Sequence, residues 1–189
     1  EINLDGILLD SVRLPLKNID WEDIDIDSST GTIYIADTGN NRNKRKDLRC
    51  YAYHPNGTLD TLAFSYSDQR EFPPQPDSLR YDCEGIVYDN QQIHLFSKNR
   101  GADRNVRHYQ YPVSVQETTP SLIHTEEILL HEQQVTGAAL SPDKKLLALI
   151  TYGRIYLFRL DGSAEWFKDP FLVIKCNRMA QSEGITFVD

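Results

Sequence analysis

Cys83-Glu84-Gly85-Ile86 is one copy of a phrase that recurs along this chain. Trp21-Glu22-Asp23-Ile24 and Ser182-Glu183-Gly184-Ile185 repeat it, and Val135-Thr136-Gly137-Ala138 fits it loosely. The second residues of the four copies are spaced 62, 52 and 47 positions apart. Repeats of about 40–50 residues with strand-like content are the signature of propeller blades. In that architecture the innermost strands all start around one central channel. Residues remote in sequence, three glutamates among them, then meet at its mouth.

The residues after each phrase agree with a blade. Thr32–Asp37, Ile93–Ser97 and Leu147–Thr151 are short β-rich runs, each preceded by a polar turn. A third run comes next in each repeat: Arg49-Cys50-Tyr51-Ala52-Tyr53, Arg107-His108-Tyr109-Gln110-Tyr111 and Arg154-Ile155-Tyr156-Leu157-Phe158. Side chains alternate along a strand, so the Arg and both rings share one face. Their recurrence predicts packing between blades. Asn56-Gly57 and Asp161-Gly162 are hairpin dipeptides, leading to a fourth, edge strand.

The expected fold is all-β, a propeller of four-stranded antiparallel blades. The repeat divides the chain into 1–17 (the end of one blade), blades at 18–79, 80–130 and 131–178, and a first strand in 179–189. Ile2–Gly6 matches Phe158–Gly162, which makes Gly6–Leu14 a fourth strand. Two arrangements satisfy such ends: a segment of a five- or six-bladed propeller, or terminal strands that pair to close a small one. The segment is favoured, because a three-stranded closing blade leaves strand edges exposed. Glu71–Leu79, with three prolines, reads as an excursion between blades.

Composition narrows the function. The formal net charge is −8 and the pI near 5.1, which argues against a nucleic-acid binder. Arg42-Asn43-Lys44-Arg45-Lys46 is one basic run, read as a solvated loop or as a local anion or partner contact. No run approaches the ~18 apolar residues of a membrane-spanning helix. No signal peptide is read, as expected of a chain that starts within a blade. Cys50, Cys83 and Cys176 form no metal knuckle; they read as small buried hydrophobes, with a Cys50–Cys83 disulfide left open.

Antiparallel pairing returns the second strand of a blade to the face where the first began. Glu22, Glu84, Thr136 and Glu183 mark the entries, and Asp37, Ser97 and Thr151 the exits, with Thr38, Lys98 and Tyr152 directly after them. These should ring one mouth of the channel, with Asn40, Asn41, Arg42 and Arg100 close by. Unpaired carboxylates there repel one another. A bound cation, a basic partner or protonation relieves this. A hard cation suits the donor types, because calcium takes carboxylate, amide and backbone oxygens. Glu22, Asp37, Glu84 and Glu183 are its candidate ligands. Lys98 pairing with Glu84 gives a purely structural alternative. An entry glutamate can also accept backbone N–H bonds from the adjacent blade and staple the ring. The histidines sit singly on strands or loops and suggest no general base.

Ile35-Ala36-Asp37-Thr38-Gly39-Asn40-Asn41-Arg42 resembles the core phrase of NHL-type propeller repeats. Asp20-Trp21-Glu22-Asp23-Ile24, Asp37–Arg45, Glu84-Gly85 with Lys98, Val135–Ala138 with Thr151-Tyr152, and Glu183-Gly184-Ile185 together resemble a family of bacterial propellers of poorly defined function. That resemblance implies a secreted, periplasmic or cell-surface setting and further strands on either side. More distantly, the chain is similar to SMP-30-like calcium-dependent lactonases and phosphotriesterases, where the Glu of a Glu-Gly phrase binds a channel calcium. It departs from them at Thr136, where they carry Asn or Asp. Three functions are therefore expected: a non-catalytic binding or scaffold propeller with a channel calcium, taking a small molecule or protein; a metal-dependent hydrolase of lactones or phosphoesters using Lys98 or Tyr152; or a metal-free protein-interaction propeller.

Overall fold

A computed structural model describes residues 3–114, 119–131, 134–176 and 182–188. Its strands are β1 Asp23–Asp27, β2 Thr32–Asp37, β3 Arg49–Tyr53, β4 Leu59–Ala63, β5 Ser65–Tyr66, β6 Cys83–Asp89, β7 Gln92–Ser97, β8 Val106–Pro112, β9 Ser121–Leu122, β10 His124–Ile128, β11 Val135–Leu140, β12 Leu146–Thr151, β13 Arg154–Arg159 and β14 Leu172–Lys175. They form three four-stranded antiparallel meanders, β1-β2-β3-β4, β6-β7-β8-β10 and β11-β12-β13-β14. The short β5 and β9 pair in parallel beside them. The excursion before β6 contains one turn of 3-10 helix, Pro76–Ser78.

The sheets stack face to face, and the alternation of side chains explains how. On β7, Ile93 and Leu95 join the core shared with the first sheet, while Phe96 joins the core shared with the third. The middle sheet is therefore buried on both faces. Tyr109 and Tyr111 of β8 pack toward the first sheet, and Tyr156 and Phe158 of β13 pack toward the second. Two of the three aromatic pairs thus pack between sheets; on β3 it is Cys50 and Ala52 that join the shared core, which puts Tyr51 and Tyr53 on the other face of that strand. Cys50 and Cys83 are buried free thiols of the first core, and burial pushes the Cys50 thiol up to about 12.

A polar clasp joins the second and third sheets. Glu126 of β10 accepts the backbone N–H groups of Trp166 and Phe167 (2.9 Å each). Its Oε1 also lies 2.7 Å from His108 Nδ1, and His108 Nε2 lies 2.8 Å from His94 Nδ1. The His94 ring stacks on Trp166 with centroids 3.8 Å apart. Burial, with His108 beside it, pushes His94 down to about 3, so it stays neutral and structural.

The innermost strands β1, β6 and β11 converge on the axis. Gly85 of β6 lies against the backbone of Gly137 and Ala138 on β11, where a Cβ would fall 3.1–3.2 Å from its neighbours. The first copy of the phrase carries Asp23 instead of glycine. Its Oδ2 accepts the N–H of Ile86 on β6 (2.8 Å) and of Ala138 on β11 (3.3 Å). One carboxylate thus ties the inner strands of three sheets together. Asp25 accepts the Tyr88 N–H (2.5 Å) one pleat further on. Stapling by a carboxylate at a strand entry is expected of the glutamates; the residue after the first of them does it.

The structure differs from the expectation at both ends. Gly6–Leu14 forms a single bridge at Leu8 and no strand. Of 179–189, residues 182–188 are described and join no strand ladder. They nevertheless lie against β11, with the Glu183 carbonyl 3.1 Å from where a Gly137 Cβ would be. The first sheet leaves Ile24 and Ile26 exposed, 61% and 48%, and the edge strand β14 leaves Leu172–Ile174 exposed.

Candidate functional site

Two of the entry residues, Glu84 and Thr136, are aimed by bulges. Cys83 pairs with Ser97 and Gly85 with Phe96, so Glu84 is an extra residue in β6. Val135 pairs with Thr151 and Gly137 with Ile150, which makes Thr136 the extra residue in β11. A bulge turns one side chain out of the strand alternation, and bulges of this kind recur beside functional sites. Glu84 is thereby presented at the mouth while the following Gly85 packs against β11.

There, Glu22, Asp82 and Glu84 each offer an oxygen within 4.8 Å of the others. Asp20 adds a fourth carboxylate, whose pKa is raised by burial and by Asp82. Lys98 Nζ donates to Glu84 Oε2 (2.5 Å) and to the Tyr152 hydroxyl (2.7 Å). Arg100 pairs with Asp82, donates to Asn41 Oδ1 (2.5 Å) and approaches Glu84 Oε1 at 3.7 Å. Lys98 and Glu84 are each only 3% exposed. Burial raises the Glu84 pKa, and the hydrogen bond from Lys98 opposes that rise.

Glu22 is the exception. It is half-buried, and among the described residues no ion pair reaches its carboxyl group. Burial, then Glu84, Asp20 and Asp82, push it up to about 8, against a lowering by Lys98. Glu22 also lines an opening of about 340 Å³ with Trp21, Ile24, Ile35, Glu183 and Gly184. Lys98 and Arg100, with Arg45 acting on Asp20 while paired to Asp37, thus face four carboxylates, and the shortfall sits on Glu22 at the opening.

The other sequence candidates are distributed around this group. Asp37 is fully buried; its Oδ1 takes Arg45 at 3.0 Å and the Asp20 N–H at 3.1 Å. Asn40 fastens the loop to the second sheet, its N–H donating to Asp82 Oδ1 (2.6 Å) and its amide to the Tyr81 carbonyl (3.0 Å). Arg42 is exposed. Thr136 donates to the Ser182 carbonyl, and Thr151 to the Arg154 carbonyl at 3.1 Å. Glu183 is exposed on the far wall of the opening, outside the three-carboxylate group.

Asp82 and Asp20 lie outside the repeat phrase, yet a signal for them exists. Asp20-Trp21-Glu22 and Asp82-Cys83-Glu84 are the same Asp-x-Glu triplet, and the last two copies carry Gln at the matching position, Gln134 and Gln181. Gly39 also belongs to the site, because a Cβ there would collide with the carboxyl groups of Glu22 and Asp20. Gly39→Ala is therefore expected to displace the end of the flexible Glu22 side chain rather than unfold the sheet. Its melting temperature should stay close to wild type, while any ligand of the Glu22 carboxylate loses roughly tenfold in affinity, the ~1.4 kcal/mol scale of one displaced contact. Parallel melts and titrations check this.

No protein-family model matches this chain, and no curated protein does. Among solved structures, the chain is similar to an exo-β-1,3-galactanase from Phanerochaete chrysosporium, solved with β-1,3-galactotriose (TM-score 0.54, 11% identity, 93% of this chain and 41% of that one). A second match, at a TM-score of 0.45 and 11% identity, is a chain of a mitotic checkpoint complex, covering 92% of this chain and 48% of that one. This chain spans less than half the length of either. The likeness establishes the fold: an all-β chain of four-stranded antiparallel sheets that matches part of a β-propeller.

Proposed function

We propose that the channel mouth is a cation site, with calcium as the ion, in a non-catalytic binding propeller whose open face takes a small molecule or a protein. The observation that carries this reading is Glu22, a carboxyl without a counter-charge, within 4.8 Å of Asp82 and Glu84. All the donors are hard oxygens, with Asp20 and the Asn41 amide at hand, which suits calcium over zinc. A cation beside Glu22 supplies the charge that Lys98 and Arg100 leave missing. The finer likeness to NHL-like and SMP-30-like propellers, with its secreted, periplasmic or cell-surface setting, belongs to the same proposal.

Calorimetric titration with calcium tests it on wild type and Glu22→Gln. Wild type should bind, with Glu22→Gln weaker by about ten- to a hundredfold, or ~1.4–2.8 kcal/mol. Without the ion the order reverses: Glu22→Gln removes an uncompensated carboxyl and should melt slightly higher than wild type at about pH 8, where Glu22 ionises. No heat of binding in wild type returns the mouth to a structural charge network, the protein-interaction reading.

One observation favours a second reading. Lys98 and Tyr152 share a 2.7 Å hydrogen bond beside the carboxylates, a pair that could move a proton in a metal-dependent hydrolase of lactones or phosphoesters. Turnover on an ester panel, abolished by chelation and by Tyr152→Phe, would select it.

A further inference from the structure

The basic run is a built loop, and the channel mouth leaves its outer face unused. Asn43 adopts φ +50°, in the left-handed region that asparagine tolerates. Its amide donates to the Asn40 carbonyl (2.7 Å) and accepts the Tyr81 N–H (2.9 Å). Gln69 donates to the Asn43 carbonyl (2.9 Å), and the Arg45 N–H to Asn40 Oδ1 (3.0 Å). Arg45 and Arg49 turn to Asp37 and Asp47. Arg42, Lys44 and Lys46 are left exposed on a backbone that needs no further ordering to present them.

Beside the loop is a cleft of about 170 Å³ walled by Leu48, Phe64, Tyr66 and Phe72. Lys46 joins loop and cleft, with its Nζ 4.8 Å from the centre of the Phe72 ring. Small, apolar and rimmed by cations, the cleft has room for a single side chain. A buried apolar anchor inside a charged rim is the common plan of a peptide interface.

We propose that this loop and cleft dock an acidic peptide segment of a partner protein, with one aromatic or aliphatic side chain seated against Phe72. Charge complementarity selects the occupant. Residues 42–49 carry five cations and one acid within a chain of net charge −8. Fields are screened over about 10 Å at about 0.1 M salt, so a short acidic segment senses the loop alone. A long polyanion or an anionic bilayer extends beyond it and meets the acidic remainder of the protein.

Fluorescence anisotropy tests this with a labelled octapeptide of Asp and Glu around one Phe. Controls are the same peptide with Phe→Ser, a Lys-flanked version, single-stranded DNA of equal charge, and phosphatidylserine vesicles. The Phe-containing acidic peptide should bind best. Lys44→Glu/Lys46→Glu, both at exposed positions, should weaken it by about tenfold or more while the melting temperature holds. Phe72→Ala should weaken the Phe peptide and leave the Phe→Ser peptide unchanged. Peptide binding indifferent to the charge reversal, equal binding of the Phe→Ser peptide, or tighter binding of DNA or vesicles would each overturn the proposal.

Discussion

Asp23→Ala will destabilise the protein by about 3 kcal/mol at about pH 6, a fall of roughly 10 °C in melting temperature for a chain of this size. The substitution leaves the Ile86 and Ala138 N–H groups without their acceptor where three inner strands converge. Each buried donor left unpaired costs about 1–3 kcal/mol. Asp23→Asn is the informative companion. Its amide oxygen can still accept both N–H groups, so most of the loss should vanish.

The pair also fixes the pH dependence. Burial pushes Asp23 up to about 7 from an ordinary 3.8, against the lowering by its N–H donors Ile86, Ile24 and Ala138; Glu22 is pushed up to about 8 from 4.5. A carboxyl that titrates higher in the folded chain than in the unfolded one holds its proton more tightly when folded. The stability it confers is full below its unfolded pKa and is lost as pH rises through its folded pKa. Glu126 works in the opposite sense: His108 and the Trp166 and Phe167 N–H groups outweigh burial and lower it, so its contribution is lost in acid. Wild type should therefore melt highest in acidic solution near the ordinary carboxyl values of 3.8 and 4.5 and lose stability steadily up to about pH 8, where both Asp23 and Glu22 have ionised in the folded chain. Asp23→Asn should flatten that decline. An Asp23→Ala variant as stable as wild type would show that Asp23 does not tie the inner strands, and a wild-type profile that rises across the same window would show that burial does not raise these carboxyl groups.

The blades were legible because their cause is periodic. Alternating apolar residues, the Arg-x-Tyr-x-aromatic strands and the Asn-Gly turn are local patterns, and each sheet is a local meander. The mouth was legible in part for the same reason. Strand entries and exits of one meander share a face, which brings Glu84 to Lys98 and Lys98 to Tyr152. What stayed hidden depends on single residues that break the period. A bulge at Glu84 or Thr136 adds one residue to a strand without changing its composition. Asp23 looks like a variant of the glycine in its phrase, although it spans a gap that glycine closes by contact at Gly85. The pairing of Asp37 with Arg45 is set by the fold of a loop eight residues on. The strand expected at Gly6–Leu14 rests on an alignment of five residues, and no ladder forms there. Charge balance was legible only for the Lys98–Glu84 pair: the placement of Arg100 on Asp82, and the lack of an ion pair on Glu22 among the described residues, come from the fold.

That imbalance gives the second large effect. Lys98→Met will cost about 3–5 kcal/mol in the absence of divalent ions, the loss typical of breaking one side of a buried ion pair. Met fills the space of the lysine stem, so the loss reports charge rather than a cavity. It leaves Glu84 buried at 3% exposure beside Asp82 and Glu22, with Arg100 3.7 Å away as its remaining cation. Lys98→Met/Glu84→Gln should recover most of the stability, because the amide needs no counter-ion. The two readings of the mouth separate on what calcium does next. If Lys98 and a bound ion answer the same need, Lys98→Met frees Glu84 Oε2 as a ligand, and calcium should raise the melting temperature of this variant more than that of wild type. Lys98→Met/Glu84→Gln, short of that ligand, should respond least. If the network is purely structural, calcium will leave all three proteins unmoved and only the double variant will regain stability. Melting curves of the three proteins in EDTA and in calcium decide between an ion site that lysine partly occupies and a charge network that lysine completes.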